Sequence, residues 1–468
     1  MTSEYEIDLD WIAQELGEVS LGDTRLDWRL IDIATKFAAK PSLSINQACD
    51  DLADTRASYR LFDNKKTTAE KILSPHYARV SERIAGQARV LAIQDTSYLD
   101  YTHHPEKEGM GPIGTPKQGI TGLVMHSTLM MSEAGTPLGL AHQAIWARSE
   151  TVGKLSPVER RQRPIEEKES HKWLEALDQT VKIVPKGTQV ISVGDSEADI
   201  FEFLNHARSL ETDVLIRAAQ NRSLCEPEVG LIRKIMGARP VAGQLKVHIP
   251  ARNHEPKRKA IVTVRFSQVT LKAPQHLKKR MEDIPLYAVL IQEEAPPPGV
   301  DSPLNWLLLT TVPVLTLEDA VERIQWYRFR WQIEVYHKIL KSGCQVEKTQ
   351  LATAARLLPY LALFGIIAWR MFWMTIIARQ EPDAPCTIVL TEHEWHALYA
   401  FHHKSKHIPD QTPTVAEVVL WIAQLGGFLA RKNDGHPGVT VVWRGWQRLT
   451  DISAAWLIFY SPILVGKG

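Results

Sequence analysis

Four polar side chains whose types suit phosphate chemistry share a helical spacing between residues 327 and 341. They are Tyr327, Arg330, Glu334 and Lys341. The apolar residues between them recur with the period of a helix, and no Gly or Pro interrupts the stretch. At about 100° per residue, Arg330 lies roughly 40° from Glu334 around the helix axis, and Tyr327 and Lys341 lie roughly 20° from it. One helix face is therefore predicted to carry a hydroxyl, a guanidinium, a carboxylate and an ammonium, a set suited to metal-dependent cleavage of DNA.

A simpler interpretation of the same stretch stays open. Arg330 and Glu334 are four residues apart, which is the spacing of an ordinary ion pair on a solvated helix face. The spacing alone does not distinguish a catalytic helix face from an ordinary ion pair. The distinction depends on other residues that could act with Glu334.

Two aspartates are the natural partners of Glu334, because each follows an apolar run. Asp95 ends the predicted strand at 90–95, and Asp195 ends the predicted strand at 189–195. Three carboxylates brought together can hold two divalent metals, and Mg²⁺ prefers such oxygen ligands. The alternative is that the two aspartates only cap the turns that follow. Further acids compete for the same roles; they are Asp100, Glu197 and Asp199.

Length, composition and cysteine usage bound the class of protein. The chain has 468 residues, of which 44% are hydrophobic and 23% charged, so two to four ordinary globular domains are expected. The four cysteines stand far apart and form no C-x-x-C pair, which indicates a reducing compartment without a disulfide framework or a zinc ribbon. Residues 1–20 are acidic and unlike a signal peptide, so a cytoplasmic location is expected, associated with the nucleoid when DNA is bound.

The run at 357–378 is long and apolar enough to suggest a membrane span. Pro359, Gly365 and a central Arg370 argue against one, and the sequence therefore favours a buried core helix.

Short helices are predicted over residues 1–70, with Asp23 as an N-cap. Their basic residues suit a small DNA-reading module, although the same residues could merely solubilise a helical bundle. These residues are Arg25, Arg29, Lys36, Arg56 and Arg60.

The middle of the chain alternates strands and helices, which predicts a mixed α/β sheet. Strands are expected at 122–132, 137–147 and 213–217, and a charged helix at 164–181. Residues 220–315 are strand-rich and look like a β insertion before the Glu334 helix. After residue 343 the chain is expected to be helical.

Positive charge concentrates in residues 246–280, although the net charge of the chain is only +1. Ten basic residues stand there against one acidic residue, Glu255, and they include the run Lys257, Arg258 and Lys259. Such a local field favours nucleic-acid binding more than the total charge does.

Other motifs are weak. Gly109, Gly111 and Gly114 match G-x-G-x-x-G but open no predicted helix, and His393 and His396 lack the zincin spacing. Trp306 could be a core residue or a platform for a displaced base.

These residues together resemble the bacterial cut-and-paste DDE transposases of the insertion-sequence-four group, and the chain is similar to the Tn-five transposase. The Tyr327-x2-Arg330-x3-Glu334-x6-Lys341 signature is specific to that group. Asp95 in LAIQDTS and Asp195 in GDSEADI match its two aspartate blocks. Further agreement lies in EKES-x-KW at 167–173, HS at 126–127, WLLLT from Trp306 and QLGGF at 424–428.

The resemblance implies an RNase H-like core with a β insertion at about 220–315 and helical domains on both sides. It implies an N-terminal domain (1–70) that recognises transposon ends, a catalytic domain (71–345) and a C-terminal dimerisation domain (346–468). Asp95, Asp195 and Glu334 would bind two Mg²⁺ or Mn²⁺ ions. The implied DNA contacts beside a flipped base are Tyr327, Arg330, Lys341, Trp306, Trp331, Arg217 and Lys338.

By the same resemblance, the enzyme would cut double-stranded DNA at terminal inverted repeats, pass through a hairpin and join the freed 3′-OH to target DNA as a homodimer. Two other functions stay open. One is a catalytically inactive DNA-binding regulator of transposition, and the other is an unrelated hydrolase with two acidic residues, such as a glycosidase. The basic stretch and the phosphate-binding residues have no role in the latter.

Overall fold

One large mixed sheet, flanked by helical N- and C-terminal regions, organises the protein. The computed structural model describes residues 11–115, 118–149, 163–225, 229–249, 257–300 and 303–460. The mixed α/β architecture with helical flanks is the one predicted from the sequence.

The N-terminal region consists of short helices, as expected. They are α1 (Trp11–Leu16), α2 (Thr24–Ala39), α3 (Ile45–Ala48), α4 (Leu52–Asp63) and α5 (Ala69–Ile84). Asp23 caps α2, since its side chain accepts the backbone N–H of Arg25 at 3.1 Å. Asp51 and Thr68 cap α4 and α5 in the same way.

The sheet begins with six strands of the central segment. They are β1 (Arg89–Asp100), β2 (Gly111–Pro112), β3 (Thr121–Ser132), β4 (Pro137–Trp146), β5 (Gln189–Gly194) and β6 (Asp213–Arg217). Antiparallel β1, β3 and β4 lie side by side, and β5 and β6 continue from β1 as parallel neighbours. The parallel pairing of β1 with β5 runs to Ile93 and Val193, so Asp95, in the middle of β1, lies level with Asp195 at the end of β5.

The strands predicted as an insertion extend this same sheet. They are β7 (Ser223–Leu224), β8 (Gly230–Leu231), β9 (Gly243–Ile249), β10 (Arg258–Leu271), β11 (Ile284–Glu293) and β12 (Asn305–Thr310). β12 pairs antiparallel with β6, and β11 and β10 follow outward. The short helix α8 (Ile232–Ala238) packs on β10 and β11. Part of the basic stretch, residues 250–256, lies outside the described residues.

Helices cover both faces of the sheet. α6 (His171–Ile183) and α7 (Phe201–Ser209) pack on one face, where Trp173, Phe203 and Ile216 share a buried cluster. The helix predicted from residue 164 begins later, at His171. Residues 165–167 form a single 3₁₀ turn, and Glu169 is drawn into an ion pair with Arg148 instead of into the helix.

The predicted helix at 327–341 is not one α-helix. α9 (Leu317–Phe329) and α10 (Trp331–Lys338) are separated at Arg330, and residues Ile339–Gly343 form a π-helical turn. The wider turn changes the angular position of Lys341, so the 20° offset expected from α-helical spacing is wrong for this residue. π-Turns inside helices are frequent at functional sites.

The C-terminal region is helical, as predicted. Its helices are α11 (Ala354–Gln380), α12 (Glu392–His403), α13 (Val415–Leu425) and α14 (Val439–Tyr460). Among the described residues, α11 is the helix that is long and apolar enough to cross a membrane, and 78% of its most apolar window is buried inside the protein. The helix is therefore packed as the core helix that the sequence favours.

A buried polar cluster joins the N-terminal helices to the sheet and to α11. His76 of α5 accepts the Leu140 backbone N–H of β4 at its Nε2 (2.9 Å), so Nδ1 carries the proton and donates to Glu15 of α1 at 2.5 Å. Arg83 donates to both carboxylate oxygens of Glu15, at 2.7 and 3.0 Å. The Arg83 guanidinium also lies 4.4 Å from the Trp369 ring of α11.

Candidate active site

The three predicted acids lie where β5 ends beside the middle of β1 and where α10 packs on β1. Burial raises the pKa of Asp95 to about 7, the charges of Asp195 and Glu334 add to this, and the Arg330 guanidinium opposes it. The charges of Asp195 and Glu334 act on Asp95, and His337 of α10 lies 3.7 Å from Asp95 Oδ2, so the three acids lie near one another. A cation bound at such a carboxyl group would favour its ionised form.

Glu334 is engaged by an arginine of its own helix face. Arg330 Nη2 donates to Glu334 Oε1 at 2.8 Å, and the two side chains are 16% and 33% exposed. Within the described residues, no group of three or more His, Cys, Asp or Glu side chains has a geometry that could hold a metal ion. The acids are thus near neighbours, but their present geometry is not that of a metal cage.

Asp195 combines proximity to Asp95 with the capping role considered from the sequence. Its Oδ1 accepts the Glu197 backbone N–H at 2.7 Å and so opens the 3₁₀ turn Ser196–Ala198. The preceding Gly194 is required by packing, because a Cβ there would lie 2.9 Å from Trp173 and 2.5 Å from Ala198. The tight approach of α6 fixes the end of β5 and with it the direction of Asp195.

Aromatic and basic groups lie beside the acids. The Trp306 ring of β12 contacts the Tyr327 ring edge to face, with centroids 5.3 Å apart. Burial raises the pKa of Tyr327, while Arg330 and Arg217 lower it, and Arg330 is hydrogen-bonded to its hydroxyl. Burial opposes the charge of Arg330, yet Tyr327, Glu334 and Asp95 outweigh it and raise its pKa. Three predicted residues outside the triad, Trp306, Arg330 and Arg217, therefore lie around Tyr327.

Lys341 lies at the other side of the acids, on the π-turn. Its Nζ donates to the backbone oxygen of Tyr98 at 2.7 Å and lies 3.4 Å from Glu347. Tyr98 belongs to β1, three residues after Asp95, so Lys341 is held against the strand that carries the first aspartate.

A chain of buried hydrogen bonds beneath Asp95 was not predicted from the sequence. Gln94 Nε2 donates to Ser192 at 2.9 Å, which leaves Gln94 Oε1 to accept from His126 Nε2 at 3.2 Å. His126 Nδ1 then accepts from the Thr96 hydroxyl at 3.0 Å. The residues on both sides of Asp95 are thereby linked to β3 and β5. Only the resemblance had pointed to His126.

His337, also missed, lies one turn after Glu334. Its Nδ1 is 3.7 Å from Asp95 Oδ2, and burial lowers its pKa to about 3. Its Nε2 is buried without a hydrogen-bond partner among the described residues. The helical spacing from Glu334 could have identified it.

Asp199, one of the competing acids, has a structural role. Its side chain is fully buried and accepts the backbone N–H groups of Ala219 and Gln220 at 2.8 and 2.7 Å. Arg222 Nε donates to its other oxygen at 2.7 Å. Asp199 thus fixes the loop that follows Arg217.

The other two competing acids are also engaged away from the triad. Asp100 accepts the Thr102 backbone N–H at 2.9 Å in a turn, and Glu197 lies 3.4 Å from Lys172. Neither replaces a member of the triad.

The predicted DNA contacts outside the site have different surroundings. Arg29, Arg60, Arg217, Lys257, Lys259, Lys338 and Trp331 are exposed. Arg25 is exposed and paired with Asp23. Arg258 forms a buried bidentate pair with Glu293, at 2.9 and 3.1 Å, which gives it a structural role and makes it the weakest DNA candidate. Lys36 is engaged by aspartates of α2 and α4.

Comparison with known protein families gives matches at both ends of the chain. The transposase DNA-binding family matches residues 8–67, which cover α1 to α4. The Tn5 transposase dimerisation domain family matches residues 366–456, which cover the second half of α11 and continue into α14. The insertion-sequence-four group named from the sequence agrees with both matches. The chain thus resembles Tn5-like transposases at both ends, with a transposase DNA-binding segment at one end and a Tn5 transposase dimerisation segment at the other.

Proposed function

We propose that this transposase cuts DNA at transposon ends in a metal-dependent reaction and joins the freed 3′-OH to target DNA. The observation that carries the proposal is the placement of Asp95 and Asp195 on the neighbouring parallel strands β1 and β5, with the helix of Glu334 packed on β1. Burial and two neighbouring carboxylates disfavour the anion of such a group, and a bound divalent cation would offset both effects.

The order of the strands supports an RNase H-like catalytic core. The sheet runs β4-β3-β1-β5-β6, with three antiparallel strands followed by two parallel ones. Asp95 lies within β1, Asp195 directly follows β5, and Glu334 lies on the later helix α10. This arrangement supports a catalytic unit at 71–345, between an end-binding domain at 1–70 and a dimerisation domain at 346–468.

Asp95, Asp195 and Glu334 are the residues that would hold two Mg²⁺ or Mn²⁺ ions. Bound there, the ions would activate the attacking oxygen and stabilise the leaving oxygen of an in-line displacement. The carboxylate donor set fits such hard cations, although Glu334 is paired with Arg330 in the DNA-free protein.

Arg330 connects DNA binding to assembly of this site. A DNA phosphate is a bidentate partner for a guanidinium and competes directly with Glu334. When Arg330 turns to phosphate, the Glu334 carboxylate is released toward Asp95 and Asp195. Lys341, held between Tyr98 and Glu347, supplies a point charge to a neighbouring phosphate.

Trp306 and Tyr327 support a pocket for a flipped base. Trp306 stays partly exposed in this edge-to-face contact. Trp331, which directly follows Arg330 in the sequence, is exposed. Stacking on tryptophan would offset part of the cost of unstacking, about a few kcal/mol. A base displaced here would accompany hairpin formation at the transposon end.

Double-stranded DNA and a second copy of the chain are the proposed partners. The DNA-binding and dimerisation matches support both. The synaptic complex would hold terminal repeats and target DNA, and in bacteria it would form at the nucleoid.

Replacing Glu334 tests the proposal. The Glu334→Ala protein should lose Mg²⁺-dependent cleavage of a duplex that carries the element's ends, yet bind that duplex like the unchanged protein in a gel-shift assay. The exposed Glu318→Ala variant at the start of α9 serves as a control and should cleave normally. Cleavage retained by Glu334→Ala would refute the catalytic assignment, and a wild-type protein that binds but never cleaves would instead indicate a regulator.

A further inference from the structure

Trp28 is the most exposed large apolar side chain of residues 11–115, at 72% exposure. It lies on α2, directly before Arg29 and one turn before Asp32. Its helix buries the opposite side, through Leu30, Ile33 and Phe37. An indole displayed in this way is a surface suited to contact with a partner, since tryptophan offers a large rigid face with little conformational entropy to lose.

A polar cleft of about 390 Å³ opens between α2 and α4, and its lining begins at Arg29, the residue after Trp28. Its basic lining residues are Arg29 of α2 and Arg56 and Arg60 of α4. All three are exposed, and within the described parts of the chain their guanidinium groups have neither an ion pair nor a hydrogen bond. Three guanidinium groups converging on one cleft match the geometry of a phosphate.

A single lysine, Lys36, offsets part of the negative charge of the acids in the same cleft. Lys36 Nζ lies 2.5 Å from Asp54, 3.3 Å from Asp32 and 3.4 Å from Asp50. Burial opposes the charge of Lys36, but Asp54 and Asp32 hold its pKa above the ordinary value. Lys36 thus keeps the carboxylates of Asp32 and Asp54 from pairing with the arginines, and the cleft stays open to an external anion.

We propose that Trp28 is a DNA-contacting residue, whose indole packs against bases or sugars of the groove next to a backbone phosphate held in the Arg29–Arg56–Arg60 cleft. Double-stranded DNA fits both the apolar indole of Trp28 and the basic cleft. It also agrees with the DNA-binding match over residues 8–67. The inference rests on the proposed function. In it, the arginines supply affinity that is independent of sequence, and Trp28 supplies an apolar contact that distinguishes one sequence from another.

The two kinds of contact differ in their salt dependence, which provides a test. The probe is a duplex selected by the full-length protein from a library of random sequences, and binding is measured over a series of salt concentrations. Trp28→Ala should weaken binding about tenfold or more without changing the slope of log K against log salt. Arg56→Ala should weaken binding and reduce that slope by about one, because one phosphate contact is lost. Trp28→Phe should restore most of the affinity.

A matched control and a second probe separate the possible outcomes. Leu429→Ala removes another exposed apolar side chain, 64% exposed in the C-terminal region, and should bind like the wild type. An unselected duplex should show a smaller loss for Trp28→Ala than the selected one. If Trp28→Ala binds the selected duplex like the wild type, or changes only the oligomeric state, the inference is overturned while the proposed function stands. A wild-type protein that selects no duplex would overturn the proposed function itself.

Discussion

Arg330 is the residue on which the two interpretations of its helix converge. The ordinary i, i+4 pair with Glu334 is present, and the same guanidinium is bonded to Tyr327 and opposes the protonation of Asp95. The two interpretations are thus compatible. Arg330 and Glu334 form an ion pair here, and on the proposed function DNA binding would separate them.

Replacing Arg330 should therefore make Glu334 available in the DNA-free protein. We expect Arg330→Gln to bind Mn²⁺ a few-fold more tightly than the wild type, since a partly exposed ion pair of this kind contributes about 0.5–1 kcal/mol. Electron paramagnetic resonance of free Mn²⁺ during titration measures this directly. Glu334→Gln should bind Mn²⁺ more weakly than either protein. Equal Mn²⁺ affinities of Arg330→Gln and wild type would show that the pair does not withhold the carboxylate.

At the scale of elements, the Glu15–His76–Arg83 cluster fixes α1 and α5 to β4 and α11. Burial alone would raise the pKa of Glu15, but His76 and Arg83 outweigh it and lower the pKa to about 2. Burial lowers the pKa of His76, which keeps the ring neutral between Leu140 and Glu15. The cluster therefore depends on an ionised Glu15 and a neutral His76.

Acid should weaken this cluster in two steps. Since the pKa of His76 is lowered on folding, its contribution is complete above about pH 6.5 and declines as the pH falls below that value. The Glu15 contribution is complete above about pH 4.5 and is lost as the pH falls toward about 2. Urea unfolding of wild type and Glu15→Gln measures it.

The difference in unfolding free energy between these two proteins should shrink as the pH falls from 4.5 to 2. The exposed Glu82→Gln variant of the same helix α5 is the control, and it should show a small and nearly constant difference. A difference for Glu15→Gln that does not change with pH would contradict the assignment of the charges.

For the whole molecule, one hydrophobic cluster crosses all three predicted domains. Ile12 of the N-terminal region, Leu91 of the sheet and Phe364 of α11 belong to the same buried set. Phe37 and Phe364 are in ring contact, with centroids 5.6 Å apart. The boundaries predicted at residues 70 and 345 stay predictions, and neither of them separates one core from another within the described residues.

Cutting the chain before α11 should therefore prevent folding. A fragment of residues 1–345 would expose the apolar surfaces of α5 and β4 that α11 covers, so we expect aggregation or binding of a hydrophobic dye in place of a cooperative thermal transition. Removing residues 461–468 is the control, and it should leave the thermal transition in place. A sharp transition in the 1–345 fragment would show that the catalytic unit folds without its C-terminal partner.

The sequence predicted the strands, the position of Asp195 after β5 and the buried course of α11, because these depend on local patterns of apolar and polar residues. The predicted end of the first strand at Asp95 was wrong, since β1 continues to Asp100. It did not predict the break at Arg330 or the π-turn, since α-helical periodicity assumes a constant angle per residue. Nor could it predict His337 or the Gln94–His126–Thr96 chain, whose partners are distant in sequence. The ion pair of Arg258 with Glu293 was missed for the same reason, and the basic stretch was read as DNA-facing throughout.

The end of the π-turn has a consequence for how the two halves of the enzyme communicate. Gly343 lies against Trp443 of α14, and a Cβ at residue 343 would be 3.1 Å from that ring. The helix that carries Glu334 and Lys341 therefore touches the dimerisation segment directly, with no linker between them. On the proposed function, a tilt of α14 on pairing with a second copy would press on the backbone two residues from Lys341, and dimer assembly would then act directly on the segment that carries Lys341.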